Sequence, residues 1–534
     1  MHLWGKRLTP AKPTSKMFFR CNGYTILSSP DLFFDNILEP LFMRQILTAR
    51  RLRDSVLLIM LLCTLNPGAY SQNIEEPLRE ELLNGLRILI WPRPRNPELT
   101  LKLRIHSGAA FDLAGKSGSL GLLGDLLFPD PATIEFFTEE MDGRLDVDID
   151  LDSLTITMKG KASELERMIE ILRNALVTTQ FNPDVVARQR ERRIKIIRET
   201  TISPALVADR AIAARLFGDY PYGRPPAGSA EDLGRIERGD LMLARERFLN
   251  PNNATLSIVG GVERNRTMRA LRQLLGAWRK SEQIVPATFR RAEPPDSRTL
   301  IINGPADQTA DVRIAVRGLT RSDADSHIVD LLAHVAAKRW LAETPELLAK
   351  PYFVRHEPHA LPGMFVMGAA INSKSAASVL INARKVLESL VSTPVSTAEL
   401  EEARNEVLLQ LNNQLARPET MVDAWLDLDT FRVSPIPEQI QKVRNASPAD
   451  LKRVASRLFQ GAPVASIVLG NAEELKSVLE GQIQSEVMGQ VPKPISDPSG
   501  ANPGANPTPA PSEPKPATTP VAPKPNPTTP AAPY

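Results

Sequence analysis

The chain has 534 residues, of which 42% are hydrophobic and 24% charged, so it is long and apolar enough to form two or more packed domains. Its 65 basic and 62 acidic side chains leave a net charge of +3, which argues neither for nor against a nucleic-acid partner. Only two cysteines occur, Cys21 and Cys63, and both precede the expected start of the mature protein. This excludes a disulfide framework and a thiolate zinc site.

The first 71 residues have the features of an export signal behind an extension. Residues 1–42 show no periodicity that continues into the rest of the chain, and we expect translation to start at Met43. Residues 43–71 then form a signal peptide, with four arginines, an apolar run over 56–65 and small residues before a cut at Gln72. The apolar run is shorter than the roughly 20 residues of a membrane span. We expect export to the periplasm or the cell exterior, with no stable membrane span after cleavage; the alternative is an uncleaved anchor.

Beyond the signal, apolar residues recur with strand and helix periodicity. The segments 99–106 and 144–158 alternate apolar and polar residues, which predicts half-buried strands. Helical spacing of apolar residues predicts helices over 162–176, 185–197 and 328–341. Strands grouped with long helices indicate the α+β class, with mostly antiparallel sheets that carry helices on one face.

The chain also repeats itself. The segment ARERFLNPNNATLSIVGG is echoed by KRVASRLFQGAPVASIVLGN, and Ser257 and Ser466 in the two copies are 209 residues apart. A period of this length, shared by elements of different type, predicts tandem duplication of one domain. We expect an N-terminal domain over 72–283, a linker with scattered prolines and charges over 284–298, and a C-terminal domain over 299–484.

The C-terminal region, residues 485–534, differs in composition from everything before it. From about Val491 onward, Pro, Ala, Thr, Asn and Lys predominate and no apolar periodicity remains. Such a composition cannot bury enough apolar surface to offset the entropy of ordering, so we expect a disordered, polyproline-like tail. The tail is either a solvated tether or a contact to the envelope or a partner.

The segment Gly118–Phe128 carries the most information about function. It reads GSLGLLGDLLF, preceded by IHSGAAFDLAGKS and followed by MDGRLDVDIDLDSLTITM. This region resembles the metal helix and paired strands of the pitrilysin/insulinase family of zinc peptidases, in its two-domain processing-peptidase branch. Later segments such as FGDYPYGRPPAGS and ADVRIAVRGLTRSD follow the family's order, so that the resemblance covers about 75–480. It implies two similar domains that face each other across a clam-like cleft.

The resemblance also implies that the chemistry has been lost. Active members carry H-x-x-E-H here, in which two imidazoles hold zinc and the carboxylate activates water. These places fall on Gly121, Gly124 and Asp125, and neither glycine can bind metal or move a proton. The family's third ligand, a glutamate, falls on Glu199, 74 residues after Asp125. Asp125 and Glu199 are vestigial metal candidates, but we interpret Glu199 as a helix-surface carboxylate and expect neither zinc nor any other cofactor.

Three further groups of residues bear on function. The resemblance places a substrate-positioning tyrosine of the second domain on Tyr352, whereas its arginine partner falls on Pro345. His356 and His359 are separated by a glutamate and a proline, and the proline breaks any helix that would align two imidazoles. We expect both histidines to face solvent in a hairpin. The basic run over 188–198 has no interleaved aromatic residues, which favours a solvated helix face and no nucleic-acid partner.

Together these observations predict a non-catalytic homologue of the zinc peptidases. The resemblance implies a heterodimer in which a catalytically active zinc peptidase of the same family carries the metal. This chain would supply part of the chamber wall, peptide contacts and stability, and peptide would pair with the strand Leu145–Met158 by edge addition. Two alternatives stay open: an atypical metallopeptidase that uses Asp125, Glu199 and a rearranged ligand, and a stand-alone peptide-binding module.

Overall fold

The computed structural model describes residues 75–200, 203–282, 289, 292–304 and 308–488. The predicted N-terminal extension, the signal peptide, part of the linker and most of the proline-rich tail lie outside these residues. Within the described ranges, no helix combines the length and the apolar character that crossing a membrane requires.

The first half contains six strands and eight α-helices within the described ranges. The strands are β1 Leu78–Glu81, β2 Arg87–Pro92, β3 Glu98–Ile105, β4 Arg144–Ile149, β5 Leu154–Lys161 and β6 Ala254–Gly260. The helices are α1 Ser119–Asp125, α2 Pro131–Glu135, α3 Leu165–Arg173, α4 Pro183–Glu199, α5 Pro204–Phe217, α6 Ala230–Gly234, α7 Arg238–Phe248 and α8 Arg264–Leu275.

The second half contains six strands and seven α-helices within the described ranges. The strands are β7 Thr299–Asn303, β8 Thr309–Arg317, β9 Tyr352–Glu357, β10 Met364–Asn372, β11 Ala465–Gly470 and β12 Ser485–Val487. The helices are α9 Ser326–Glu343, α10 Ala376–Ser392, α11 Thr397–Ala416, α12 Pro418–Phe431, α13 Ile436–Asn445, α14 Pro448–Phe459 and α15 Ala472–Leu479.

The helix and strand boundaries follow from local chemistry. Proline, whose fixed φ suits the first turn of a helix, opens α4, α5, α12 and α14. Ser396 and Glu399 form a capping box at the start of α11, in which each side chain accepts a hydrogen bond from the other residue's backbone N–H. In β3, the alternating residues Leu99, Leu101 and Leu103 are buried in the core of the first half.

Each half is built around one six-stranded, mostly antiparallel sheet. The strand order is β1-β2-β6-β3-β5-β4 in the first sheet and β12-β7-β11-β8-β10-β9 in the second. The last five strands in these orders match one to one. In both sheets the pair equivalent to β2 and β6 is parallel, whereas the following three pairs are antiparallel. The predicted α+β class with two similar halves is therefore confirmed.

The sequence echo is one residue out of step with the side-chain faces. Ile258 of β6 lies in the core that the first half forms with its own helices. In β11 the matching core position is Val468, whereas Ile467 packs on the opposite face against α5. Because side chains alternate between faces along a strand, a shift of one residue exchanges the two faces. The strands are equivalent, but Ser257 and Ser466 are not equivalent residues.

Each half also contributes one helix to the other half's sheet. Helix α5 of the first half packs on β8 and β11, and helix α12 of the second half packs near β2 and β6. The face of each sheet that its own helices leave open is thus partly covered by a helix from the other half. The buried residues of these two apolar contacts include Ala208, Ile212, Leu216, Val366 and Ile467 in one, and Leu89, Trp91, Val422, Trp425 and Leu426 in the other.

Ion pairs accompany both helix contacts. Lys102 Nζ of β3 lies 2.9 Å from Asp423 Oδ1 of α12, and Arg313 Nε of β8 lies 2.6 Å from Asp209 Oδ1 of α5. Both contacts therefore combine apolar packing with ion pairs. Both join segments far apart in the chain, so they tie the two halves to each other.

The predicted start of the tail at residue 485 is wrong by a few residues. Residues Ser485–Val487 form β12, which runs parallel to β7, and Glu486 Oε1 lies 2.6 Å from Arg215 Nη1 of α5. Three residues are too few to show a periodic pattern, so the sequence did not distinguish this strand from the tail. Backbone pairing with β7 decides its conformation.

Candidate functional site

Helix α1 carries the three positions at which active relatives hold their metal and general base. Six of its seven residues are buried, and only Asp125 at its end is partly exposed. Asp112 caps the helix from the preceding loop, because its two carboxylate oxygens accept hydrogen bonds from Gly118 N at 2.7 Å and Leu120 N at 2.9 Å. Burial raises the pKa of Asp112 to about 6 despite these bonds.

Arg193 occupies the place at which a side chain on Gly121 would lie. A Cβ atom added to Gly121 would come within 2.2 Å of Arg193 Nη2. From this position Arg193 Nη1 donates a hydrogen bond to Asp125 Oδ2 at 2.6 Å, and Nε lies 3.5 Å from Ala227 O. The two α1 positions that correspond to metal-binding histidines are thus spanned by a guanidinium from α4.

Gly124 allows the edge hairpin to pack closely on α1. A Cβ atom at Gly124 would lie 3.0 Å from Val147 Cγ1 of β4 and 3.5 Å from Leu154 Cδ1 of β5. A Cβ atom at this position would need the Val147 side chain to shift by a few tenths of an ångström. The place of the general base in active relatives is therefore taken up by hydrocarbon from the two strands.

Glu199 lies away from this arrangement. It is the last residue of α4, its side chain is 66% exposed, and Lys195 Nζ approaches its Oε1 at 3.9 Å. Arg193 and Glu199 are six residues apart, so in a helix of 3.6 residues per turn they point in directions about 120° apart. Counting residues along the chain selects Glu199, but the helix face that meets α1 carries Arg193.

His356 and His359 do not face solvent, so that prediction is wrong. His356 lies within β9 with a fully buried side chain, where Nε2 accepts from Leu319 N at 3.4 Å and Nδ1 lies 3.2 Å from Asp330 Oδ1. His359 follows in the β9–β10 turn, and its side chain is only 24% exposed. Both rings are held by partners from distant segments, which a local reading of four residues could not show.

His359 belongs to a polar cluster that joins the two halves. Asp152, in the β4–β5 turn, accepts from Tyr222 Oη at 2.8 Å through Oδ1 and lies 2.8 Å from His359 Nδ1 through Oδ2. Tyr222 Oη in turn accepts from Leu361 N at 2.9 Å, and burial raises the pKa of Tyr222. This cluster could not be predicted from the sequence, because Asp152 lies 70 residues from Tyr222 and 207 residues from His359.

A cavity of about 490 Å³ adjoins this cluster between the halves. Apolar side chains from α5 form much of its wall, among them Leu206 and Phe217, and Tyr222, His359 and Met364 complete it. The cavity shows that the helix contacts do not fill all the space between the halves.

Comparisons with known proteins relate this chain to one family of peptidases. The family model of the peptidase M16 inactive domain matches residues 235–407. The chain is 22% identical over 400 residues to an uncharacterized zinc protease of Mycobacterium tuberculosis, a match that covers 72% of this chain and 91% of that protein. It is 21% identical over 263 residues to a probable mitochondrial-processing peptidase subunit beta of Arabidopsis thaliana, which covers 46% of this chain and 47% of that protein. A match to a zinc protease of Mycobacterium leprae likewise spans 50% of that protein.

Solved structures show the same fold. A protease from Helicobacter pylori superposes with a TM-score of 0.66 at 16% identity, over 74% of this chain and 100% of that one. A peptidase M16 inactive domain from Pseudomonas fluorescens superposes with a TM-score of 0.64 at 16% identity, over 74% and 98%. The chain is thus similar, in sequence and in fold, to the pitrilysin/insulinase family of peptidases, M16.

The comparisons and the motif positions point to a catalytically inactive homologue of the M16 peptidases. The matched family model is that of the inactive domain, and the motif positions Gly121 and Gly124 carry no side chain for metal binding or proton transfer. The zinc that active M16 members use does not fit here, because zinc in proteins takes three or four N, O or S ligands. Helix α1 offers only Asp125, whose carboxylate is bound by Arg193. Within the described ranges, no three His, Cys, Asp or Glu side chains are grouped closely enough to hold a metal ion.

The M16 resemblance also assigned a role to Tyr352. Tyr352 opens β9, its side chain is half-buried, and its ring packs edge-on against Trp340 of α9 with the centroids 6.1 Å apart. Pro345, at the place of its arginine partner, begins a short 3₁₀ turn after α9. The role of Tyr352 in substrate binding stays a prediction.

Proposed function

We propose that this chain is the non-catalytic subunit of a heterodimeric M16 zinc peptidase and that it holds extended polypeptide along β4. The observation that carries the proposal is the position of β4, which is the outermost strand of the first sheet and packs on α1 through Val147 and Gly124. An outermost strand has backbone donors and acceptors on its free side, and extended peptides bind other proteins by pairing with such groups.

The free side of β4 can be worked out from the hairpin. Asp150 N donates to Ser153 O at 3.0 Å, and this bond closes the β4–β5 turn. In an antiparallel pair, residues alternate between those bonded to the neighbouring strand and those whose backbone groups point away. Counting back from Asp150, the residues whose backbone groups point away from β5 are Leu145, Val147 and Ile149. Within the described ranges, none of them has a backbone hydrogen bond to another element.

Two features support a partner that carries the metal. The chain keeps the M16 fold but lacks the motif side chains, so any hydrolysis in its cleft would need catalytic groups from elsewhere. Among similar proteins, the Arabidopsis match is a subunit, and a structure of complex III2 from Candida albicans contains a chain that superposes with a TM-score of 0.63 at 14% identity. We therefore propose an assembly of the same kind, with an active M16 subunit as partner.

We also propose that the chain is exported. The predicted signal peptide over 43–71 supports export. So does a fold shared with the first half of the periplasmic protease PqqL from Escherichia coli, which superposes with a TM-score of 0.62 at 15% identity.

Peptide binding to the purified chain tests the role of β4. In Ile149→Pro the outward N–H is lost while the bonds to β5 remain, and proline is tolerated in an outermost strand. One lost hydrogen bond of about 0.5–1.5 kcal/mol should weaken the binding of a fluorescein-labelled pool of extended decapeptides about 2- to 12-fold. Ile149→Ala keeps the N–H and is the matched control, with binding within about twofold of wild type. Equal binding by the two variants would refute the role of β4.

Native mass spectrometry of the endogenous complex tests the partner. The material is purified from the periplasmic fraction, and subunit masses and bound zinc are read together. The proposal expects a complex with a second M16 chain and zinc in that chain. A monomer would refute the heterodimer, and chelator-sensitive hydrolysis by the isolated chain would favour an atypical metallopeptidase.

A further inference from the structure

We propose that Arg193 takes the place of the metal in this chain and provides a permanent internal cation that holds α4 to α1. The proposal concerns the site of the lost motif and holds whether or not the chain binds peptide or a partner. Its starting point is the disagreement between zinc, which the family implies, and the residues present, which do not fit it.

The position of the guanidinium is the first argument. Arg193 Nη2 lies where a side chain at Gly121 would begin, and Arg193 Nη1 is 2.6 Å from Asp125 Oδ2. Gly121 and Asp125 are four residues apart in one helix, the spacing that puts two metal ligands on the same face. The positive charge therefore lies against the face of α1 that binds the metal in active members.

The charge and burial of the pair are the second argument. The Arg193 side chain is 15% exposed and the Asp125 side chain 35% exposed, so the pair is largely shielded from solvent. An arginine side chain stays charged at every physiological pH, and its planar donors suit a carboxylate. A bridge of this kind needs no metal supply.

Gly121 and Arg193 also depend on each other, because a residue without a side chain at 121 leaves room for the guanidinium. Any side chain at Gly121 would collide with the guanidinium, which would have to shift from its present position beside Asp125. Conversely, without Arg193 the carboxylate of Asp125 would lose its only hydrogen-bonded cation within the described ranges. Gly121, Asp125 and Arg193 thus form one unit, and restoring a single ligand at 121 would not rebuild a metal site.

A double-mutant cycle on the purified chain tests this dependence. Alanine is a better helix former than glycine, so Gly121→Ala should raise Tm in an Arg193→Ala background, where the space is free. In the wild-type background the same change displaces the guanidinium. The change in Tm caused by Gly121→Ala should therefore be about 2 °C or more below the change in the Arg193→Ala background. Gly239→Ala in α7, where a Cβ atom meets nothing within 4 Å, is the matched control and should give the same change in both backgrounds.

Two further measurements complete the test. If Arg193→Ala does not fold, Asp125→Asn serves as the alternative background, because it frees the guanidinium to move. Arg193→Lys, which keeps the charge, should restore part of the Tm lost in Arg193→Ala or reach a folded state where alanine does not. An effect of Gly121→Ala that is the same in all backgrounds would overturn the proposal.

Metal titration gives an independent readout. The wild-type chain should show the same Tm with a chelator and with a tenfold excess of zinc, and should retain roughly less than 0.1 zinc per chain after dialysis. A zinc-dependent rise in Tm that Asp125→Asn abolishes would show that metal displaces Arg193, and the proposal would fail.

Discussion

Arg104 provides the sharpest test of how the two halves are joined. This residue of β3 is buried, with a side chain only 10% exposed, and it contacts two carboxylates of α12: Asp423 Oδ1 at 2.9 Å and Asp427 Oδ1 at 2.5 Å. Asp427 is also paired with Arg321. The substitution Arg104→Met keeps most of the side-chain volume and removes a buried charge from this contact.

The expected loss follows from what remains after the substitution. Breaking a buried ion pair from one side costs about 3–5 kcal/mol, because the other charge is left buried. Asp427, whose side chain is 13% exposed, keeps Arg321, and Asp423 is 37% exposed and keeps Lys102, so both carboxylates retain a partner. The cost should therefore lie at or just below the lower end of this range, about 2–3 kcal/mol in the free energy of unfolding at pH 7.

The loss should depend on pH, and its sign can be worked out. Burial already raises the pKa of Asp427 above its ordinary value, and Arg104 is one of the two arginines that oppose this rise. Without Arg104 the folded-state pKa rises further, so that the folded chain binds a proton more readily than the unfolded chain. Lowering the pH from 7 towards 5 should therefore restore part of the stability of Arg104→Met relative to wild type.

Urea unfolding of both chains at pH 7 and pH 5, followed by tryptophan fluorescence, measures these quantities. The control is Arg144→Met, which removes the exposed pair of Arg144 and Asp146, with side chains 56% and 46% exposed. Exposed pairs contribute about 0–1 kcal/mol, so this variant should differ little from wild type. A loss in Arg104→Met below about 1 kcal/mol, or one that is the same at both pH values, would show that the pair is not shielded as described.

Two further predictions concern the second half. Trp425→Ala should cost about 3–5 kcal/mol in thermal unfolding, because this residue is 2% exposed and its ring packs against Trp91 of the first half. In the same assay its control, Leu409→Ala at a position 53% exposed, should stay within about 0.5 kcal/mol of wild type. The pKa of Glu399 is lowered to about 2, first by its hydrogen bond to Arg339. The stabilisation that ionised Glu399 provides is complete above its unfolded-state pKa near 4.5 and is lost as the pH falls towards 2. Glu399→Gln should therefore destabilise the chain at pH 7 and much less at pH 3. Equal losses of stability at the two pH values would contradict this assignment.

Much of the fold could be predicted from the sequence because it rests on local pattern. The alternation over 99–106 corresponds to β3, and the alternation over 144–158 corresponds to the β4–β5 hairpin. Helices predicted over 185–197 and 328–341 are α4 and α9, each a few residues longer than the pattern indicated. Periodicity marks the residues that a sheet or helix will bury, and burial is what stabilises these elements. The ends of elements depend instead on caps and pairing.

The loss of the motif could also be determined from the sequence alone, because a glycine has no side chain in any fold. The residue that replaces the motif could not. Spacing along the chain pointed to Glu199, whereas the structure brings Arg193 to Asp125. Which residue of a helix faces a given neighbour depends on the rotation of that helix in the fold.

Tertiary structure likewise decided every contact between the halves. The exchange of α5 and α12, the cluster of Asp152, Tyr222 and His359, and the strand β12 all join segments far apart in sequence. Local residue patterns record which side chains prefer burial and which backbone conformations they favour. They do not specify which residue a buried or charged group will contact. That contact forms only when distant segments pack against each other.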